Sequence, residues 1–333
     1  MSSITKQDNQ SCWIITDGSA GMENQALGLS EHINVNPVCL RVPKPPLHNL
    51  IRPHWMPIKP LVNILHNLTE CNSDKIELPK ILISCGHKSV AYAIAVKKYS
   101  RKKTFTIHIQ NPLIPPKMFN LIIAPQHDKL IGSNIIESQG ALHRINDIIL
   151  SQSLERFSEQ FINYPKPIIA VLIGGSTRRY KFDSSAAISF AAELAYLAQK
   201  KGGSVLISGS RRTDLHVLNA LKNGLKETPG FVWDGQGANP YTGFLAHADF
   251  IITTCDSVTM TSEAISTGKP TYIYKLKGKG SARFERFFED IINSGYARWY
   301  KDSLDSWQYN PPRETERIGK LVKNIIEDYH TKL

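Results

Sequence analysis

Asn163-Tyr-Pro-Lys-Pro-Ile-Ile-Ala-Val-Leu-Ile-Gly-Gly-Ser-Thr-Arg-Arg179 is the stretch on which the fold turns. Pro165 and Pro167 break the helical periodicity before them, and the apolar run 168–173 then reads as a strand buried on both faces. Such a strand belongs in a parallel sheet covered by helices. Downstream, strand-like runs at 204–208, 231–233, 250–254 and 271–274 alternate with helical segments at 184–200, 214–225, 260–267 and 283–294. A last helix is expected over 314–330. Upstream, strands at 12–16, 81–84, 104–109 and 121–124 accompany helices at 24–32 and 89–99, and a helix at 142–161 closes that half. The 333 residues are enough for two such domains. The expectation is therefore an α/β protein of two Rossmann-like doubly wound domains facing a central cleft, divided as 1–163 and 164–300, with a C-terminal helix in 301–333 packing back on the N-terminal domain.

Forty Lys and Arg against 29 Asp and Glu give a net charge of +11, which favours polyanionic partners: nucleic acid, an anionic membrane face or phosphorylated small molecules. The five cysteines are odd in number and irregularly spaced (Cys12, Cys39, Cys71, Cys85, Cys255), which argues against a disulfide framework or a zinc site and fits a reducing compartment. No apolar run reaches the ~18–20 residues that span a bilayer, and residues 1–11 are polar without a signal core. A cytoplasmic location is expected, on occasion peripheral to a membrane: residues 41–60 are basic and proline-rich with Leu47, Leu50, Ile51, Trp55 and Met56 interleaved, a mixture that suits an anionic lipid surface as well as a solvated loop.

Ligands in doubly wound sheets sit beyond the carboxyl ends of the strands, and the loops there carry unusual chemistry. Gly174-Gly175-Ser176-Thr177-Arg178-Arg179 and Ser208-Gly209-Ser210-Arg211-Arg212-Thr213 both combine glycine, hydroxyls and paired arginines, as a diphosphate would require. The plain alternative is a pair of tight turns with solvated arginines. In the third loop Asp256 or Ser257 would cap a helix, and Glu263 further along it could bond a ribose diol. A fourth loop follows Trp233, with Tyr241 placed to stack on a base or simply lie on the surface. In the first half, Asp17-Gly18-Ser19-Ala20-Gly21 opens a helix that carries Asn24 and Gln25. Asp17 is the candidate catalytic base, and His87, His108, Gln110 and His127 are read onto further strand-end loops.

The set Trp13, Asp17-Gly18, Gly21, Asn24-Gln25, 108–112, 125–128, 208–213 and 256–263 resembles the mitochondrial-fission ELM1 family, whose bacterial members are regarded as glycosyltransferases. The second half is also similar to a GT-B glycosyltransferase of the MurG type. That resemblance implies a nucleotide-sugar donor on the second domain and an acceptor on the first. It implies Gly174, Gly175 and Ser176 against the donor diphosphate, Ser257, Thr259 and Met260 as phosphate or sugar contacts, and Glu263 on the ribose. In that family the first loop ends in a histidine, a proposed base; Met22 stands there in this chain, which leaves Asp17.

Taken together, the expected activity is metal-independent transfer of a sugar from a UDP- or GDP-type donor to an envelope glycan or lipid-linked acceptor. No cofactor, no metal and no nucleic acid are expected. Arg178, Arg211 and Arg212 would meet the charge of the leaving nucleotide, since no Asp-x-Asp pair is present to hold a metal there. The alternative is a non-catalytic adaptor on the same scaffold that recruits a protein partner. A nucleotide-sugar epimerase, suggested by the spacing of Tyr99 and Lys103, is weakened by the lack of a GxGxxG turn.

Overall fold

The structure is a computed structural model and describes residues 11–46, 48, 50–69 and 76–331. Leu47, Cys71 and the polar start at residues 1–10 lie outside the described residues.

The chain divides into two units, residues up to Arg144 together with Glu314 onward, and Ile145–Arg313. In the first unit β1 (Cys12–Thr16), α1 (Ala20–His32), β2 (Pro37–Arg41), α2 (Ile58–Leu68), β3 (Ile81–Cys85), α3 (Val90–Tyr99), β4 (Phe105–Ile109), β5 (Leu121–Pro125) and β6 (Ile135–Ser138) build one six-stranded sheet. Its order is β2-β1-β3-β4-β5-β6 and every pairing is parallel. β1, β3, β4 and β5 are buried along their whole length, which is why they read as strongly apolar segments, with Thr106 and His108 of β4 buried among them. β2 is an edge strand with Val38 and Cys39 exposed, and it and α2 carry no such run; neither was expected.

The second unit contains α4 (Asp147–Arg156), α5 (Ser158–Phe161), β7 (Ile168–Gly175), β8 (Tyr180–Lys181), α6 (Ser184–Lys201), β9 (Ser204–Arg212), α7 (Leu215–Gly224), β10 (Gly230–Trp233), α8 (Tyr241–His247), β11 (Phe250–Thr254), α9 (Val258–Ile265), β12 (Thr271–Tyr274), β13 (Lys277–Gly278), α10 (Ala282–Asn293) and β14 (Ala297–Trp299). Its main sheet is parallel throughout with the order β10-β9-β7-β11-β12-β14. Side chains of Asp183, Asp214, Ser257 and Ser281 cap α6, α7, α9 and α10 by accepting from amides of the first turn.

The division falls at Arg144/Ile145, ahead of the 163/164 expected. The helical stretch before the prolines belongs to the second unit because its apolar face packs there. Phe157 and Phe161 are buried with Ile168, Ala170, Leu172 and Phe244, and Ser153 Oγ donates to Thr242 Oγ1 at 2.8 Å. Gly243 has no room for a Cβ, which would stand 2.6 Å from the Phe157 ring. The second unit also runs past residue 300, where Tyr309 Oη donates to the carbonyls of Ile265 and Lys269. α11 (Glu314–Thr331) returns to the first unit: its Ile318, Val322 and Ile326 share a core with Ile14 and Leu29, and Gly319 lies against His32.

Candidate nucleotide-binding site

A doubly wound sheet opens a crevice where its strand order reverses. In the second unit the reversal lies between β7 and β11, and the three expected loops after β7, β9 and β11 meet there. Gly174 N donates to Thr254 Oγ1 at 2.9 Å, and Thr254 Oγ1 donates to Asp256 Oδ1 at 2.6 Å. A Cβ on Gly174 would fall on the Asp256 carboxylate. Ser210 Oγ donates to Gly174 O, and Gly175, at φ +116°, lies against the Arg212 carbonyl where β7 and β9 slip register. The two glycines and Ser210 are thus consumed in locking strand ends together.

What emerges toward solvent is Arg212. Its guanidinium lies 2.9 Å from Asp256 Oδ2; the arginine side chain is 44% exposed and the aspartate side chain fully buried. Burial pushes the Asp256 carboxyl up, opposed by the Thr254 hydroxyl and the Arg212 charge. A buried acid that braces a half-exposed arginine fixes the orientation of its guanidinium. Arg211, next to it in sequence, and Arg178, on the loop after β7, are exposed, whereas Ser208 is buried in β9 and Gly209 packs on Leu218 and Thr213.

Ser257 Oγ caps α9 by accepting from Met260 N at 3.3 Å, leaving Thr259 and Met260 half-buried in the first turn. Glu263, on the same helix, is 5% exposed and accepts a 2.5 Å hydrogen bond from Tyr241 Oη at the start of α8. Burial pushes the Glu263 carboxyl up to about 7, with the tyrosine bond pulling the other way. The same burial and the glutamate hold the Tyr241 hydroxyl protonated. Trp233 is half-buried at the end of β10, its Nε1 donating to Gln236 O at 2.9 Å.

In the first unit the order reverses between β1 and β3, so Asp17 and the Gly86-His87-Lys88 turn adjoin. Asp17 Oδ1 accepts from Ser19 N at 3.0 Å and Ser19 Oγ at 2.5 Å, and Oδ2 lies 3.0 Å from Lys88 Nζ. Partial burial raises its pKa, but the Ser19 and Lys88 hydrogen bonds and the Lys88 charge outweigh it and hold the carboxyl below the usual range. Gly18 takes φ +76° to make the turn. Gly21 and Asn24 are half-buried on α1, and Gln25 is buried with Nε2 donating back to Gly21 O at 3.0 Å. Gln110 Nε2 and Cys85 Sγ both point at Met22 Sδ, at 3.1 Å and 3.4 Å.

The three histidines occupy different environments. His87 is exposed in its turn. His108 stands inside β4 and not on the loop beyond it; it is fully buried, 2.9 Å from Ser84 Oγ and stacked on Phe119. Burial, helped by His87, drives its pKa down to about 3, so it is neutral and structural. His127 is buried in the turn Gln126–Asp128, 3.7 Å from Asp128. Lys88 and Thr254 join the candidate site without a sign in their loop sequences; Lys88 stands beside His87, but only the strand order sets it against Asp17. Among the described residues, no group of three or more His, Cys, Asp or Glu is placed to hold a metal ion, and no helix is long and apolar enough to cross a membrane.

The mitochondrial fission ELM1 family model matches residues 20–326. The chain belongs to that family. Two relatives are 27% identical: the uncharacterised RP120 of Rickettsia prowazekii, over 95% of this chain and 98% of that protein, and the mitochondrial fission protein ELM1 of Arabidopsis thaliana, over 81% and 68%. Among solved structures, the UDP-GlcNAc 2-epimerase of Neisseria meningitidis bound to UDP-GlcNAc superposes with TM-score 0.52 at 15% identity, covering 96% of this chain and 99% of that one. Os79 from O. sativa in complex with UDP gives TM-score 0.56 at 11% identity, covering 96% and 93%. At these identities the likeness shows the fold: this ELM1-family chain has the paired Rossmann-like units of GT-B enzymes.

Proposed function

We propose that this ELM1-family protein is a GT-B glycosyltransferase that takes a sugar from a nucleoside-diphosphate donor of the UDP or GDP type and passes it to an envelope glycan or lipid-linked acceptor. The observation that carries the reading is Arg212, braced by buried Asp256 at the strand-order reversal beside the N-terminus of α9. In the reading, the donor diphosphate is met by Arg212, Arg211 and Arg178 and by the amides that open α9. Glu263 takes the ribose diol, releasing Tyr241, and Trp233 or Tyr241 borders the base. The leaving nucleoside diphosphate is stabilised by these cations and the helix dipole, without a metal.

Asp17 is the candidate base for the acceptor hydroxyl, with Gly18, Gly21, Asn24, Gln25, His87, Gln110 and His127 grouped around the acceptor side; His108, sealed in its strand, is withdrawn from that role. Peripheral docking on an anionic membrane accords with Leu50 and Trp55, which are 81% and 67% exposed, and with Arg52 lying 5.5 Å over the Trp55 ring. The location is cytoplasmic in this reading.

The test is release of nucleoside diphosphate from a panel of UDP- and GDP-sugars. Wild type is expected to consume one of them, and Asp17→Asn to stop turnover while UDP still binds. Normal turnover of Asp17→Asn would remove the base; a wild type inert to the whole panel and blind to every nucleotide would hand the scaffold to the adaptor reading.

A further inference from the structure

The chain after β7 doubles back before it enters α6. Thr177 holds the tip of this hairpin: its amide donates to Tyr180 O at 2.9 Å, and its Oγ1 accepts from the amides of Arg179 at 3.2 Å and Tyr180 at 3.0 Å. Ser176 closes the base, exchanging hydrogen bonds with both backbone groups of Phe182. The returning arm, β8, pairs antiparallel with β13, setting Lys277 opposite Lys181 and Gly278 opposite Tyr180. Gly278 has φ +135°, and a Cβ there would strike the Arg179 carbonyl, so the close pairing depends on glycine. Tyr180 turns inward and is buried, while Arg178, Arg179, Lys181, Lys277 and Lys279 are all exposed.

Like charges directly opposite in an antiparallel ladder repel. Here lysine faces lysine in a two-residue ladder with Arg179 at the adjoining tip, Arg178 being left to the donor side, and among the described residues none of Arg179, Lys181, Lys277 and Lys279 forms an ion pair. The sheet gains nothing from this arrangement, whereas a ligand with several negative charges would relieve it. No large apolar side chain is exposed on either strand, so the ribbon offers a bilayer nothing to insert. Arginine forks and lysines at this density suit phosphate oxygens. The hairpin starts directly after Gly174 and Gly175, which abut Asp256 and Arg212.

We propose that the β8–β13 ribbon is a second anion-binding site that takes the phosphate groups of a phosphorylated co-substrate, separate from the site of the nucleotide diphosphate. Naming that co-substrate the acceptor rests on the transferase reading; the anion site itself does not.

The probe is inorganic tripolyphosphate, titrated calorimetrically into the full chain at roughly 0.15 M salt, where stray surface attraction is screened within about 8 Å, with saturating UDP present. Wild type is expected to bind it. Lys277→Glu sets an acid opposite Lys181, so it should keep or raise Tm, weaken tripolyphosphate by about tenfold or more, and leave UDP affinity unchanged. The pair Lys181→Ala and Lys277→Ala should weaken it likewise. Unchanged tripolyphosphate affinity in these variants would overturn the proposal, and so would its complete displacement from wild type by UDP, which would make the two sites one. Loss of sedimentation with phosphatidylglycerol vesicles, at unchanged tripolyphosphate affinity, would overturn it in favour of a membrane surface. Tripolyphosphate binding that depends on Lys277 in a protein that ignores UDP would uphold the ribbon and sink the donor reading.

Discussion

Glu263 has a carboxyl at about 7, so at neutral pH it is divided between a proton donor and an acceptor. Its folded pKa lies above the 4.5 of an unperturbed glutamate, so between these values the folded state holds more protons than the unfolded one. The contribution to stability is therefore complete below pH ~4.5 and is lost as pH rises through about 7. Glu263→Gln keeps an acceptor for Tyr241 and cannot ionise. It should be more stable than wild type by about 3 kcal/mol at pH 8 and by less than about 1 kcal/mol at pH 5, measured by urea denaturation at the two pH values. Equal stabilities at both would mean that the carboxyl titrates normally. Binding moves the other way: an ionised Glu263 is the better acceptor for a ribose diol, so nucleotide affinity should rise from pH 6 to pH 8 in wild type and stay flat in the variant.

At the scale of elements, glycines mean something different from what the loop composition suggests. Gly174 and Gly175 looked like a phosphate cradle, yet each lies against a protein group, the Asp256 carboxylate and the Arg212 backbone. Gly174→Ala should therefore cost about 2 kcal/mol or more of stability through overpacking, and it should weaken UDP because Asp256 could no longer hold Arg212. A variant with wild-type stability and weakened UDP would restore the cradle. The buried strands were legible because parallel strands covered on both faces write unbroken apolar runs, as in 168–173 and 81–83. β2, β6, β8, β13 and β14 were not: short or edge strands write no such run, and pairing across nearly a hundred residues leaves no local sign. His108 was misplaced by one element boundary, since only the strand's last residue, Ile109, separates it from the loop.

For the whole molecule, the charge of +11 has acquired locations: Arg212 at the strand-order reversal, the β8–β13 ribbon, and the basic stretch around Arg52 and Trp55. The sequence carried the two-unit plan and the three loops that meet in the second unit. It did not carry the true division at Arg144/Ile145, because a helix before a proline break gives no sign of which core its apolar face will join; Phe157 and Phe161 decide that by packing on Phe244. Nor did it carry the partners of the site residues: Asp256 with Arg212, Tyr241 with Glu263 and Lys88 with Asp17 are tertiary pairings. In the proposed function the second unit holds a nucleoside diphosphate at that reversal. The most direct measurement is the shift in melting temperature of the full chain with UDP and GDP, for wild type, Glu263→Ala and Arg212→Ala. Tm is expected to rise with one of the two nucleotides, and either substitution to abolish the rise; no rise with either nucleotide, or a rise that both variants retain, would rule the site out.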